Sequence, residues 1–259
     1  MQNDNSNAYL RVAITGASSG IGKMLALNFA REATHLYLAG RDKARLEECK
    51  AEVLKANPNV IALTTSFDVN NESACKAWCD EIFATRLDVL IVNAGIAMGE
   101  DESLARHLEI CHTNVLGVAN IALDGFMRFR GQEWRDGRKG QLVLLSSIAS
   151  LLAMPNAPSY SASKVFVRYL GEALSVAQNE VCITTICPGV IRTPLTRYLN
   201  PMIPQISCEV ASEKIYRAIK KGKEYYIFPQ WLGFGARFYT ILPRCIKRHL
   251  SLFNRFGKL

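Results

Sequence analysis

Leu142-Val143-Leu144-Leu145-Ser146-Ser147, an apolar link, and then Tyr160-Ser161-Ala162-Ser163-Lys164 form the centre of this 259-residue chain. The first part is a short apolar run, the pattern of a buried strand. It ends in two serines, which puts a hydroxyl at the strand's carboxyl end. The second part opens a long amphipathic helix, expected over about 157–178. Tyr160 and Lys164 are four residues apart, so their side chains share one helix face. An ammonium beside a phenol favours the phenolate and lowers a pKa that otherwise lies at about 10. A tyrosine tuned in this way passes a proton near neutral pH. Ser147 is placed to hold the substrate oxygen that receives it. In a chain with nine tyrosines a Tyr-x-x-x-Lys spacing is a weak signal by itself. Its surroundings give it weight.

Toward the N-terminus, Leu10-Arg11-Val12-Ala13-Ile14-Thr15 reads as a first strand. Gly16-Ala17-Ser18-Ser19-Gly20-Ile21-Gly22 reads as a glycine-rich turn, and a helix pattern follows to about Ala33. Strand, glycine turn and helix N-terminus in that order make an anion site. The glycines admit a pyrophosphate to the backbone, and the helix dipole favours its charge. The second strand, about 35–39, ends at Gly40-Arg41 with Lys43 nearby. That end carries no carboxylate for a ribose 2′-hydroxyl, and Arg41 can pair with a 2′-phosphate bidentately. The reading therefore favours NADP(H) over NAD(H). Asp42 is expected to cap the next helix, about 42–56. A third strand, about 60–66, runs into Phe67-Asp68-Val69. Asp68 either meets an adenine edge or caps the helix at about 71–84. A fourth strand, about 88–92, runs into Asn93-Ala94-Gly95. Gly95 lets backbone pass close to a cofactor, and Asn93 can bond backbone groups of neighbouring strands.

A helix over about 103–129 carries Asn114 near its middle. Asparagine is a poor interior helix residue, so a local bend that holds water is expected there. Residues 130–140 are a polar surface turn. A sixth strand, about 181–187, closes in Pro188-Gly189, with Val190-Ile191-Arg192-Thr193-Pro194 beyond. Residues 195–208 contain Pro201 and Pro204, show no clear period, and read as a mobile lid. A helix at about 209–221 and a seventh strand at about 224–228 follow. Alternating strands and helices imply a parallel sheet covered on both faces, and right-handed crossovers make it doubly wound. Ligands bind at the carboxyl ends of such strands. Gly16, Asn93, Ser147 and Pro188 all stand at strand ends, so they converge on one edge.

Composition narrows the class. Apolar residues make up 49% of the chain, enough for a sizeable core, and the net charge is +8. The polar start, 1–8, lacks an apolar h-region, so no secretory leader is expected. No apolar run is long enough to span a bilayer. Eight cysteines without a Cys-x-x-Cys suggest reduced thiols and a cytoplasmic location. The pairs Cys75/Cys79 and His107/Cys111 are read as packing, and no metal site is expected.

In order and spacing, Thr15-Gly16-x-x-x-Gly20-x-Gly22, Asn93-Ala94-Gly95, Asn114, Ser147, Tyr160-x-x-x-Lys164 and Pro188-Gly189-x-x-x-Thr193 resemble the short-chain dehydrogenase/reductases over about residues 11–228. The resemblance implies an α/β fold, a Rossmann-like doubly wound parallel sheet of about seven strands in a single domain. That domain would span 1–229, with 230–259 as a basic C-terminal helical extension. It implies an NADP(H)-dependent oxidoreductase interconverting an alcohol and a ketone or aldehyde. Tyr160 would be the general acid in reduction and the general base in oxidation. Lys164 would tune it and bond the nicotinamide ribose, Ser147 would polarise the carbonyl, and Asn114 would hold a water linking Lys164 to solvent. Gly16, Ser18, Ser19, Gly20, Ile21 and Gly22 would line the phosphates, with Arg41 on the 2′-phosphate and Asp68 and Val69 at the adenine. Asn93, Ala94 and Gly95 would pass along the cofactor, and Pro188, Gly189, Val190 and Thr193 would hold its carboxamide end. A homodimer or homotetramer through 103–129 and 157–178 is expected.

Ile96, Met98, Leu151, Leu152, Met154 and residues 195–203 are expected to line the substrate end, which points to a hydrophobic carbonyl compound. The alternatives are an NADP(H)-sensing protein without turnover and a membrane-surface scaffold. The second draws on the tail. Residues 230–259 hold Arg237, Arg244, Lys247, Arg248, Arg255 and Lys258 and no acidic residue, so they carry six of the positive charges. Beyond Pro243, Ile246, Leu250 and Phe253 fall on one helical face. Such a helix suits peripheral contact with the inner membrane surface, or packing on the pocket or a second subunit. No base-reading motif accompanies the charge, so no nucleic-acid partner is expected.

Overall fold

The structure, a computed structural model, describes residues 10–197, 203–243 and 246–247. Runs of valine, leucine and isoleucine bounded by turn residues make the strands, and amphipathic segments between them make the helices. The first half runs β1 (Arg11–Thr15), α1 (Gly20–Ala30), β2 (His35–Gly40), α2 (Lys43–Ala56), β3 (Ile61–Ser66), α3 (Glu72–Ile82) and β4 (Val89–Val92). The second runs α4 (Leu104–Cys111), α5 (Gly117–Arg130), β5 (Gly140–Leu145), α6 (Pro158–Ala177), β6 (Val181–Pro188), β7 (Ile191–Arg192), β8 (Ile206–Ser207), α7 (Cys208–Lys220), β9 (Tyr225–Phe228) and α8 (Gln230–Ile241).

Seven strands form one sheet in the order β3-β2-β1-β4-β5-β6-β9, every pair parallel. The chain steps outward from β1 through β2 to β3, then returns to lay β4 on the other side of β1. That reversal opens a crevice at the carboxyl ends of β1 and β4, where such sheets bind ligands. Every residue of β4 and β5 is buried, because both faces are covered. On one face α1, α2 and α7 close a core around Leu25, Phe29, Leu46 and Ile215. On the other, α3, α5 and α6 close a second core around Trp78, Ile121, Phe129 and Val167.

Local chemistry sets the helix starts. Asp42 caps α2, its carboxylate accepting from Arg45 N at 3.1 Å. Asn71 caps α3 by accepting from Ala74 N at 3.0 Å. Of the two roles open to Asp68, the cap therefore belongs to another residue; Asp68 accepts from Asn70 N at 2.9 Å. The irregularity expected at Asn114 takes the form of a π-helical turn, His112–Leu116, between α4 and α5. The expected 103–129 helix is therefore two α-helices joined through that turn.

The 195–208 stretch, expected to be a lid, is held near both of its ends. Thr196 Oγ1 donates to Ile191 O at 2.6 Å, and Ile206 N donates to Val190 O at 2.9 Å. β8 pairs in parallel with β7. Both ends are thus fixed to the body, and residues 198–202 lie outside the described residues. Two-residue strands leave no periodic signal in a sequence. In the tail, α8 lies before Pro243, with Gly233 packed against Ile227 of β9. The helix expected through Ile246, Leu250 and Phe253 falls almost wholly outside the described residues. Cys75 Sγ donates to Val69 O at 3.2 Å inside the core, and His107 Nδ1 pairs with Ser159 Oγ at 2.8 Å. Among the described residues no helix is long and apolar enough to cross a membrane.

Candidate active site

The crevice is built first by a tie between two strand ends. Thr15 Oγ1 accepts from Asn93 N at 3.0 Å and Ala94 N at 3.1 Å. Asn93 Nδ2 donates back to Thr15 O at 3.0 Å and Gly16 O at 3.3 Å. Asn93 thus bonds neighbouring backbone as expected, while Thr15, quoted only as part of a motif, proves to be its reciprocal partner. Gly16 sits at φ 69°, in the left-handed region that favours glycine. A Cβ on Gly22 would lie 2.3 Å from Gly16 O, so α1 closes on the turn only with glycine there.

This arrangement fits an anionic dinucleotide. Ser19 at the N-cap of α1 makes no side-chain capping bond, and the first turn holds no acidic residue. The N–H groups there are left for a ligand, and Ser19, Gly20 and Ile21 line the crevice. At the end of β2, Arg41 is exposed and its Nη1 stands 3.8 Å from Asp68 Oδ2. Asp42 is engaged in its cap and with Arg45 Nε at 3.2 Å. Arg45, which the sequence reading did not single out, is the second cation on the cavity wall, and Lys43 is not on it. Its place three residues after Asp42, one helical turn on, is the signal in the sequence that points to it.

Across the crevice, Ser147 follows β5 and is buried. Its Oγ accepts from Ala149 N at 3.1 Å, which leaves the hydroxyl proton free to be donated. Ser146 Oγ donates to Lys164 O at 2.8 Å and fixes α6 to the strand end. Lys164 is 6% exposed, and its Nζ donates to Leu145 O at 2.9 Å. The same Nζ lies 5.8 Å from the centre of the Tyr160 ring. Burial lowers the lysine's pKa from 10.5 to about 8, against an opposing pull from Cys187. Asn114 is fully buried: Oδ1 accepts from Ile96 N at 2.8 Å, and Nδ2 donates to Ile96 O at 2.8 Å and Ser163 Oγ at 3.1 Å. A Cβ on Gly95 would sit 3.2 Å from Asn114 Oδ1 and 3.5 Å from Lys164 Nζ, so both atoms face that glycine.

Of the catalytic and cofactor-binding residues expected in the site, all but Gly22 and Asn114 line one cavity of about 560 Å³. Gly22 is a packing position, and Asn114 stands behind the wall. At the apolar end Ile96, Ala97, Ile148, Met154 and Leu195 line the cavity. Met98 is instead buried in the cluster with Ile110 and Ala157, against which Tyr160 and Met154 pack. Leu151 and Leu152 are not on the wall, because the short turn after Ser147 carries them off it. Arg106, which the sequence did not single out, anchors this end: Nε donates to Met98 O at 3.2 Å and Nη2 to Ala97 O.

A family model described as short chain dehydrogenase matches residues 11–204. A curated relative from Arabidopsis thaliana, named 11-beta-hydroxysteroid dehydrogenase-like 3, is 31% identical over 93% of this chain and 80% of its own length. Among solved structures, a short-chain dehydrogenase from Sphingobium yanoikuyae in complex with NADPH superposes with a TM-score of 0.77 at 22% identity, covering 90% of this chain and 96% of that one. One from Burkholderia phymatum in complex with NAD gives 0.77 at 21%, covering 89% and 92%. These two likenesses bear on the fold. The family match over most of the chain, with a relative above 30% identity, carries the assignment: the chain belongs to the short-chain dehydrogenases, the NAD(P)-dependent oxidoreductases that act on CH–OH groups.

Proposed function

We propose that the chain is an NADP(H)-dependent oxidoreductase interconverting an alcohol with a largely apolar ketone or aldehyde, with Tyr160 as the proton donor and acceptor. The observation that carries this reading is the buried ammonium of Lys164 beside Tyr160, on a wall shared with Ser147. A buried cation with one backbone acceptor is costly to keep. It has a use where it stabilises a phenolate and offers its remaining N–H donors to a ribose. Tyr160 gives its proton to the substrate oxygen in reduction and takes one back in oxidation. The Ser147 hydroxyl donates to that oxygen and holds it in place. Asn114 Oδ1 and Lys164 Nζ, both facing Gly95, are the ends of a water-bridged path that returns the proton to solvent.

The residues present suit the dinucleotide. Gly16, Ser18, Ser19, Gly20 and Ile21 would hold its phosphates, Asp68 and Val69 its adenine, and Asn93, Ala94 and Gly95 its middle. Pro188, Gly189, Val190 and Thr193 would hold its carboxamide end. When bound, the nicotinamide supplies or accepts the hydride. Arg41 on the wall, with Asp42 beside it held in the α2 cap and neutralised by Arg45, supports a 2′-phosphate and hence NADP(H). The apolar wall and the relative named for an 11-beta-hydroxysteroid support a hydrophobic substrate. Exposed Leu108, Leu116, Leu123, Met127 and Tyr169 on α4, α5, the turn between them and α6 support a homodimer or homotetramer.

The test is cofactor oxidation by the purified chain with a panel of apolar aldehydes and ketones. NADPH should support turnover at least about tenfold better than NADH. Better turnover with NADH would overturn the cofactor reading. No turnover by a chain that binds NADPH would leave the sensor.

A further inference from the structure

We infer that α8 is a docking surface for a bilayer containing anionic lipid. Trp231, Phe234, Phe238 and Ile241 are 67%, 71%, 62% and 75% exposed, respectively. At 100° per residue they fall within one arc of roughly a quarter-turn. The opposite side is occupied: Gly233 and Ala236 are buried, and Gly233 packs against Ile227. The helix is therefore held to the body by one face and presents a row of large apolar groups on the other. A tryptophan among them suits the boundary between headgroups and chains.

Charge selects the occupant. From Gln230 onward the chain carries Arg237, Arg244, Lys247, Arg248, Arg255 and Lys258 and no Asp or Glu. An apolar stripe within a segment of one sign matches a negatively charged lipid surface. A self-complementary contact between two copies would bring like charges together, which disfavours it. With 12 residues α8 is too short to cross a bilayer, so a lipid contact would be made by its exposed face.

The inner face of α8 adjoins the active site. Leu232 Cδ2 and Pro229 Cδ would lie 3.2 and 3.0 Å from a Cβ on Gly189, and Gly189 lines the cavity. One helix, about 10 Å across, thus separates the lipid-facing row from the cavity wall. Resting on the proposed apolar substrate, this places the site where a carbonyl compound dissolved in the bilayer is concentrated.

The test is sedimentation of the full chain with vesicles of phosphatidylcholine alone and of phosphatidylcholine with phosphatidylserine. The chain should pellet with the anionic vesicles and be released by high salt. Trp231→Ser/Phe234→Ser/Phe238→Ser should bind them at least about tenfold more weakly. NADPH binding and thermal unfolding establish that this variant is folded and are expected to be unchanged. Brominated lipid should quench wild-type tryptophan emission, and Trp231→Phe should remove most of the quenching. A chain that stays in the supernatant with anionic vesicles at low salt overturns the inference. So does a triple variant that pellets like wild type, or one that instead dissociates a dimer of a chain that binds no vesicles. Turnover of a water-soluble carbonyl, measured separately, tests the enzyme reading, so failure of one is distinguishable from failure of the other.

Discussion

Lys164 shows how a single side chain links stability to function. In the unfolded chain it holds its proton up to about 10.5, and in the folded protein only up to about 8. Between those values the unfolded chain binds the extra proton, so stability rises as pH climbs through that window. Below about 8 the cost of burying the charge is fully present. Lys164→Met keeps the stem and removes the charge. It should stabilise the cofactor-free protein at neutral pH by about 1–2 kcal/mol, after loss of the bond to Leu145 O. Thermal unfolding at neutral and alkaline pH checks this: wild type should close the gap as pH rises, and a variant less stable at neutral pH would refute it. Arg41 makes a separate claim. Its contact with Asp68 at 3.8 Å is exposed and contributes little, so the guanidinium is available. Arg41→Ala should weaken NADPH by about ten- to a hundredfold, the range of a charge-assisted hydrogen bond, and NADH far less. Fluorescence titration of both cofactors decides, and equal losses would remove Arg41 from the phosphate site.

At the scale of elements, the loop after β4 is the piece that the sequence did not explain. Arg106 on α4 reaches back to Met98 O and Ala97 O, and Asn114 grips both polar backbone groups of Ile96. Arg106→Ala should therefore raise the substrate KM about threefold to tenfold by loosening Ile96 on the wall, with NADPH affinity unchanged. Steady-state kinetics with a separate cofactor titration tests it; equal weakening of both ligands would mean a general disruption. The strand–turn–helix around Gly16 and the Tyr160–Lys164 face were legible because local spacing encodes them. Short apolar runs likewise mark most of the seven parallel strands, β3 with its Thr64-Thr65-Ser66 end being the most polar. Arg106 was not legible, since its partners are backbone carbonyls that any residue type supplies. The β7–β8 pair, two residues each, is too brief to leave a pattern. Asn114 is legible from its helix-breaking character, and its bonds to Ile96 place it behind the wall.

At the scale of the molecule, the sheet supplies a rigid edge and the helices decide what the surface meets. Leu123 and Met127 of α5 are exposed although neighbouring Ile121 and Phe126 are buried. If that face joins two copies, light scattering should give a dimer or larger for wild type and a monomer for Leu123→Glu/Met127→Glu. A monomeric wild type would refute the pairing. In the proposed function Tyr160 transfers the proton at a site whose other parts bind and orient. Tyr160→Phe keeps the ring packed against Ile96, Met98 and Ala157 and removes only the hydroxyl. The decisive measurement is carbonyl reduction by Tyr160→Phe beside its NADPH affinity. The expected result is turnover below about one per cent of wild type, of the order of a lost general acid, with cofactor binding preserved. Turnover close to that of wild type would contradict it.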